Sequence, residues 1–236
     1  MQTIVAVAQR EFLAYFRSPI AYIFVTTFLV LTYFLFFRGF FLMGEADLRP
    51  FFSLMPWIFL FYIPAVAMGK WAEERRQGTL ELLLTLPVAD RDVVLGKFFA
   101  GLGLIATAIM GTLPLAVTVS LLGNLDWGPV IGGYLGLLFL GGAYLSVGLV
   151  VSSGTQNQII AFIVSVIAAF VLLIIGEPIV TVAVPKVLVT AIQYFGLTYH
   201  FESIRRGVID SSDLLYYLSV IGFFLWVNCR IVRERR

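Results

Sequence analysis

The sequence predicts an all-α membrane protein with six transmembrane helices, an N-terminal interfacial helix and a re-entrant outer segment before the last span. Hydrophobic residues make up 60% of the 236 residues and charged residues only 13%, whereas a soluble domain has about 25% charged residues. The apolar residues form long runs rather than short alternating strands, which favours helices over a barrel. Residues 1–236 are therefore predicted to form a single transmembrane domain.

Residues 1–17 have the pattern of an amphipathic helix. At about 100° per residue, one side carries Ile4, Val5, Ala8, Phe12, Tyr15 and Phe16. The opposite side carries Gln2, Gln9, Arg10 and Arg17, and Glu11 lies at the boundary. Such a helix lies in the plane of the membrane interface. The pattern leaves open whether it is only an anchor or also contacts a partner protein.

Six apolar segments have lengths near the roughly 20 residues that a spanning helix needs. They are residues 20–41, 50–69, 98–122, 130–151, 159–176 and 214–228. Pro56 and Pro64 in the second segment predict a kink there, and Pro114 lies inside the third.

The distribution of Lys and Arg predicts which ends of the spans face the cytoplasm. Six spans place eleven of these residues inside and five outside. A seventh span at 178–196, which contains Pro178, Pro185, Lys186 and Gln193, would reduce this difference to nine against six. We therefore expect cytoplasmic termini and an outer segment, residues 177–213, that is re-entrant or lies on the surface.

Several functions have no support in the residues. Neither Gly69-Lys70 nor Gly96-Lys97 has the surrounding pattern of a phosphate-binding loop, so the chain is not expected to hydrolyse ATP. No catalytic residue is predicted, and a lone His200 in the outer segment is expected to be a hydrogen-bonded interfacial side chain. The presence of only one histidine and one cysteine argues against a metal site. A net charge of +2 gives no reason to expect nucleic-acid binding.

The inner loop, residues 71–97, contains a short apolar segment whose side chains must be buried against another surface. Residues 79–86 carry five leucines and are expected to form a helix that begins after Gly78 and ends at Pro87. The helix is too short to span a membrane, and its stability in water without a partner would be marginal. Its leucines could pack on the chain's own bundle or enter a groove on a cytoplasmic partner, with Glu73 and Glu74 in a polar rim.

This loop resembles the signature of type-2 ABC transporter permeases. The resemblance lies in Glu73-Glu74-Arg75-x-x-Gly78-Thr79-x-Glu81-x-Leu83-Leu84-x-x-Pro87-Val88, followed by Gly96-Lys97. The predicted order of interfacial helix, six spans and broken outer segment extends it over nearly the whole chain. Two further strings, Asp47-Leu48-x-Pro50 and Asp126-Trp127-Gly128-Pro129, resemble the branch of gliding-motility-associated and nitrous-oxide-cluster-like permeases.

The resemblance implies partners and roles for particular residues. The short helix would be a coupling helix that docks on a separate ATPase subunit, which binds the ATP and Mg²⁺, so the chain itself needs no cofactor. The residues carried over to this contact are Glu73, Glu74, Gly78, Thr79, Glu81, Leu83, Leu84 and Pro87. The interfacial helix would contact the same subunit, and its residues singled out are Arg10, Glu11, Phe12 and Arg17.

The resemblance also implies an assembly in the bacterial inner membrane. Two permease chains, identical or different, would pair with two ATPases, and the first and fifth spans would line the dimer interface. An additional membrane or periplasmic subunit is a further partner to test for.

The fourth span carries small residues at spacings that allow close helix packing. They are Gly132-x-x-x-Gly136 and Gly142-x-x-x-Ser146. Packing within the chain is favoured over a dimer face.

Three functions remain to be compared. The first is the permease of an ATP-driven exporter. The second is a scaffolding or mechanotransmitting subunit that is driven by an ATPase and has no cargo of its own. The third is a self-powered transporter or channel, against which stands the lack of ionisable residues at the middle of the predicted spans.

Overall fold

The computed structural model describes residues 2–79, 88–177, 192–208 and 210–234, and the single residues 180, 185 and 189. Ten α-helices have their bounds in this part of the chain. They are α1 (Gln2–Arg17), α2 (Pro19–Met43), α3 (Arg49–Ala67), α4 (Gly69–Arg76), α5 (Asp90–Met110), α6 (Leu113–Leu122), α7 (Trp127–Gly154), α8 (Gln158–Ile174), α9 (Leu197–Arg205) and α10 (Ser211–Arg233).

The described helices confirm the predicted multi-span all-α fold. Five segments are long and apolar enough to cross a membrane, namely Pro19–Leu42, Arg49–Arg76, Asp90–Leu122, Trp127–Gly154 and Ser211–Arg233. The apolar α8, with 17 residues, is slightly shorter and lies at the predicted fifth span.

Helix α7 forms the centre of the bundle. The most apolar stretch of α7 is 72% buried, against 22% for the corresponding stretches of α2 and α10. Helices α3, α5, α8, α9 and α10 all pack against α7. The exposed apolar surfaces of α2 and α10 are therefore available to lipid.

The small residues of α7 contact other helices of the same chain. A Cβ atom on Gly132 would lie 2.5 Å from the carbonyl oxygen of Ile204 in α9, and one on Gly136 would lie 3.1 Å from Phe201. A Cβ atom on Gly142 would lie 3.0 Å from Ile221 in α10. The hydroxyl of buried Ser146 donates to the Ala143 carbonyl oxygen within α7.

Replacing Gly132 by alanine is expected to lower the free energy of unfolding by about 1–3 kcal/mol, because the new methyl group meets backbone rather than a movable side chain. Gly222→Ala is the matched control, since no atom lies within 4 Å of its added Cβ. Thermal unfolding in detergent compares the two variants. Equal melting temperatures for both would contradict the close approach of α9 to α7.

The third predicted span, residues 98–122, is divided between two helices. Helix α5 ends at Met110 and α6 begins at Leu113, so Pro114 lies in the first turn of α6. The hydroxyl of Tyr33 donates to the Gly111 carbonyl oxygen at 3.0 Å, and that of Tyr134 to the Thr112 carbonyl oxygen at 3.1 Å. These two bonds satisfy backbone groups at the break, which hydrocarbon could not do.

The predicted loop 71–97 begins as a helix. After α3 ends at Ala67, α4 continues the chain to Arg76. The hydroxyl of Ser152 in α7 donates to the Met68 carbonyl oxygen at 2.8 Å and accepts from the backbone N–H groups of Trp71 and Ala72 at 3.2 Å each. A side chain inserted in this way separates the two helices without ending the helical path.

Replacing Ser152 by alanine is expected to cost about 1–3 kcal/mol, because it leaves two buried backbone donors without an acceptor. Ser120→Ala is the control, since the exposed Ser120 hydroxyl bonds only within its own helix. Hydrogen exchange at Trp71 and Ala72 should rise in the first variant only. Unchanged exchange there would show that Ser152 does not hold the α3–α4 junction.

The outer segment, 177–213, is described in part. Most of 178–191, where a re-entrant path was expected, lies outside the described residues. Helix α9 packs against α7. His200, which was expected to be hydrogen-bonded, is buried and contacts Asp213 at the start of α10 and the Tyr194 carbonyl oxygen.

Candidate coupling site

The interfacial helix α1 packs against the start of α5, where two glycines allow a close approach. A Cβ atom on Gly96 would lie 2.5 Å from Val7, and one on Gly103 would lie 3.1 Å from the ring of Phe12. Five of the six residues predicted for the apolar side of α1 are partly buried, and Val5, which is 53% exposed, is the exception. Because α5 and α4 supply basic partners, Glu11 lies on the packed face rather than at a boundary.

Four charged side chains from three helices meet beneath this contact. Glu11 of α1, Lys70 and Glu74 of α4 and Lys97 of α5 are called the charge cluster below. The Glu11 carboxylate lies 3.2 Å from Lys70 Nζ and 3.6 Å from Lys97 Nζ. Lys97 Nζ also lies 2.5 Å from a carboxylate oxygen of Glu74. The cluster thus joins α1, α4 and α5.

Lys97 is the most deeply buried member, with 1% of its side chain exposed. Its ammonium group donates to the Lys70 carbonyl oxygen at 3.1 Å and lies 4.8 Å from the centre of the Trp71 ring. Nearly every direction around the charge is therefore occupied by an acceptor or an aromatic face, as a buried cation requires.

The environment of Glu11 keeps it ionised. Burial alone would raise its pKa, but the positive charges of Lys97 and Lys70 outweigh this and lower the pKa to about 2. The Lys70 ammonium group also lies 3.6 Å from the centre of the Tyr15 ring. Glu11 therefore holds α1 against the bundle through charge as well as packing.

Glu73 points away from the charge cluster and joins α4 to the start of α8. Its carboxylate accepts from Arg76 at 2.7 Å, from Gln77 at 2.6 Å and from Gln158 of α8. Arg75 donates to the Gly154 carbonyl oxygen at the end of α7 at 3.3 Å. Helix α4 is thus fixed to the ends of two further helices.

The remaining predicted site residues divide into three groups. Gly78 has φ +71°, a left-handed conformation that favours glycine, and it ends α4, while the hydroxyl of Thr79 donates to the Glu74 carbonyl oxygen at 3.2 Å. Arg10 and Arg17 are exposed, and Arg10 lies 3.2 Å from the Glu11 carboxylate. Glu81, Leu83, Leu84 and Pro87 lie outside the described residues.

Sequence reasoning missed Lys97 and Ser152 as organising residues. One signal pointed to Lys97, because a lysine directly before a long apolar run needs a partner or a path to the interface. No sequence signal pointed to Ser152, since serine is common in the turns that follow a span.

Comparison with known proteins identifies the family of this bundle. Residues 20–228 match the family described as ABC-2 family transporter protein, over most of the chain. The chain belongs to the ABC-2 transporter family. No curated protein matches it. Family membership makes this ABC-2 protein the multi-pass membrane component of an ABC transporter, and it implies a cytoplasmic ABC ATPase as partner.

In this ABC-2 protein the matched residues include α4 and the start of α5, which carry three members of the charge cluster. Helix α1, which carries the fourth, precedes the matched range. The cluster therefore connects the matched bundle to the interfacial helix.

Proposed function

We propose that the chain is the permease of an ATP-driven exporter and that the charge cluster transmits movement of the ATPase to the spans. The observation that carries the proposal is the buried connection of α1, α4 and α5. In the sequence, α4 and α5 directly flank the segment that resembles a coupling helix. A displacement of that loop would be passed through α4 to Lys97 and Glu11. Packed helices joined in this way shift as rigid bodies.

The proposal includes an orientation and an assembly. The termini and residues 71–97 face the cytoplasm, in agreement with the excess of Lys and Arg there, and the membrane is the bacterial inner membrane. A separate ATPase binds ATP and Mg²⁺, and a second permease chain completes the transporter. The strings around Asp47 and Asp126 support membership of the gliding-motility-associated and nitrous-oxide-cluster-like branch.

Copurification of the tagged chain from its native host tests the proposal. We expect an ATPase subunit at about one per chain, and we expect Leu83→Arg to abolish its recovery while the variant still inserts. Leu83→Met, which conserves volume and polarity, is the matched control and should retain the ATPase. Recovery of the chain alone, under conditions that preserve other ABC complexes, would favour a self-powered transporter or channel.

A second measurement separates transport from mechanical coupling. The purified complex in liposomes should hydrolyse ATP faster when cargo is present and should move that cargo. ATPase stimulation by another membrane or periplasmic protein, without movement of cargo, would favour the scaffolding or mechanotransmitting function instead.

A further inference from the structure

Helix α10 has one packed face and one exposed face. It packs against α5 and α7, and the residues buried on that side include Tyr217, Leu225, Asn228 and Val232. Apolar side chains on the opposite face are more than half exposed. They are Leu215, Leu218, Phe223 and Trp226. Since α10 is one of the helices long and apolar enough to cross a membrane, its exposed face meets the acyl chains of lipids.

The exposed face ends in two arginines, one of which lies over an aromatic ring. Arg230 and Arg233 are both exposed and belong to the last turn of α10. The guanidinium carbon of Arg230 lies 5.2 Å from the centre of the Trp226 ring, and the centre of that ring lies 6.4 Å from that of Phe223. A guanidinium group over a ring keeps the N–H donors at its edge for an acceptor. Arg230 is thus oriented by the ring while its donors stay available.

Arg230 and Arg233 differ from other exposed arginines near this end of the bundle. Arg10, Arg76 and Arg91 lie 3.2, 2.7 and 3.8 Å from a carboxylate oxygen, respectively. In the described part of the chain, neither Arg230 nor Arg233 forms an ion pair. Their charges are therefore not taken up by a contact of this kind.

Nearby acidic groups do not cancel the charge at the end of α10. Residues 230–236 contain four arginines and one glutamate, Glu234. A second carboxylate, that of Asp90 at the start of α5, is close enough to act on the thiol of Cys229. Four positive charges against two negative ones leave an excess of two. This end of the helix thus has a positive potential, which attracts anions.

The same residues lie at the level where a membrane meets water. Arg230 follows Trp226 by one turn, about 6 Å along the helix axis. Tryptophan rings concentrate near the lipid headgroups, and arginine side chains extend toward the phosphates there. The two rings are therefore placed beside the first carbons of the acyl chains, and the guanidinium groups lie at the level of the phosphates.

An anionic phospholipid complements both parts of this face. Its phosphate oxygens accept hydrogen bonds from guanidinium groups, often in pairs, and its acyl chains cover exposed apolar side chains. Clusters of about four or more basic residues directly beyond a span are typical of sites for anionic headgroups. A second copy of the chain fits less well, because a two-fold axis through this face along the membrane normal would bring the arginines of both copies together.

We propose that the exposed face of α10 binds one anionic phospholipid. Its phosphate group lies on Arg230 and Arg233, and an acyl chain lies along Trp226 and Phe223. Native mass spectrometry of the purified full chain in detergent tests the inference, with the chain titrated with phosphatidylglycerol or with phosphatidylcholine that has the same acyl chains. We expect one phosphatidylglycerol to bind about tenfold more tightly than phosphatidylcholine, because the choline headgroup has no net charge to attract the two arginines.

Two variants separate the charge from the ring. The double variant Arg230→Gln/Arg233→Gln should bind both lipids equally. Trp226→Leu keeps an apolar side chain but removes the ring under Arg230, so it should weaken the binding of phosphatidylglycerol by a smaller factor. All three positions are exposed, so the variants should keep the fold.

Arg38→Gln is the matched control for the single variant Arg230→Gln. Arg38 is an exposed arginine near the other end of a spanning helix, and the contacts between cations and rings in the described residues do not include it. Arg230→Gln should weaken the binding of phosphatidylglycerol about fivefold, and Arg38→Gln should leave it unchanged.

Equal affinity for phosphatidylglycerol in these two single variants would overturn the inference, as would displacement of the lipid by an equal concentration of inorganic phosphate. Loss of a dimer of the chain, rather than of a lipid, in the double variant would also overturn it and would assign the face to a second copy. The titration uses the chain without an ATPase, so its outcome does not depend on the proposed coupling function.

Discussion

Replacing Lys97 by methionine should lower the free energy of unfolding by about 3–5 kcal/mol, the range found when one partner of a buried ion pair is removed. Methionine keeps most of the buried stem but removes the charge that lies between Glu11 and Glu74. The two carboxylates would then be compensated by Lys70 and by the largely exposed Arg10. Like charges in such a site repel, and one of them must take up a proton.

The expected consequence is that α1 separates from α5. Hydrogen exchange of the backbone of α1 and thermal unfolding in detergent measure this directly. Arg10→Gln is the matched control, because the Arg10 side chain is 62% exposed and should contribute little. A melting temperature of Lys97→Met within error of that of Arg10→Gln would show that the charge cluster does not hold the helices together.

A double variant locates the effect. Adding Glu74→Gln to Lys97→Met removes one of the two unpaired carboxylates, so it should restore part of the lost stability. A coupling energy above about 1 kcal/mol between the two positions is expected for residues in direct contact. If the losses of stability in the two single variants simply add in the double variant, the contribution of Lys97 does not come from its pair with Glu74.

The spans could be predicted because hydrocarbon imposes a length and a polarity on each of them. The residues at which the helices begin and end could not be predicted in this way. The last predicted span, residues 214–228, is the apolar part of α10, which extends over Ser211–Arg233. Hydropathy measures the part of a helix that suits lipid, whereas the helix continues into water until a capping group or a break ends it. The same reason explains why α4 extends into the predicted loop.

The charge cluster could not be predicted because it depends on distant partners. Glu11 and Lys70 are 59 residues apart in the sequence. A helical wheel places Glu11 at the boundary of the apolar side, since it scores each side chain without its partners. In the folded chain, a basic group from each of two other helices reaches Glu11, and the charged side chain then belongs to the packed face. The pair of His200 and Asp213 escaped prediction in the same way.

Acidification should weaken the attachment of α1 in a defined pH range. The pKa of Glu11 lies at about 2 in the folded chain, below its ordinary value of 4.5. A lowered pKa stabilises the fold above the unfolded value, and this contribution is lost as the pH falls through the folded value. The contribution is therefore complete above about pH 4.5 and disappears toward pH 2. From about 1.4 kcal/mol per pKa unit, it amounts to ~3 kcal/mol.

The variant Glu11→Gln isolates this contribution, because glutamine keeps the shape of the side chain but does not titrate. At pH 7 the wild type should be the more stable of the two by ~3 kcal/mol. The difference should shrink between about pH 4.5 and pH 2, since a protonated Glu11 and a glutamine are both neutral. Unfolding in detergent at several pH values measures it, and Glu45→Gln, at an exposed position, corrects for general effects of charge. Equal stability of the two proteins at pH 7 would mean that Glu11 holds α1 by shape rather than by charge.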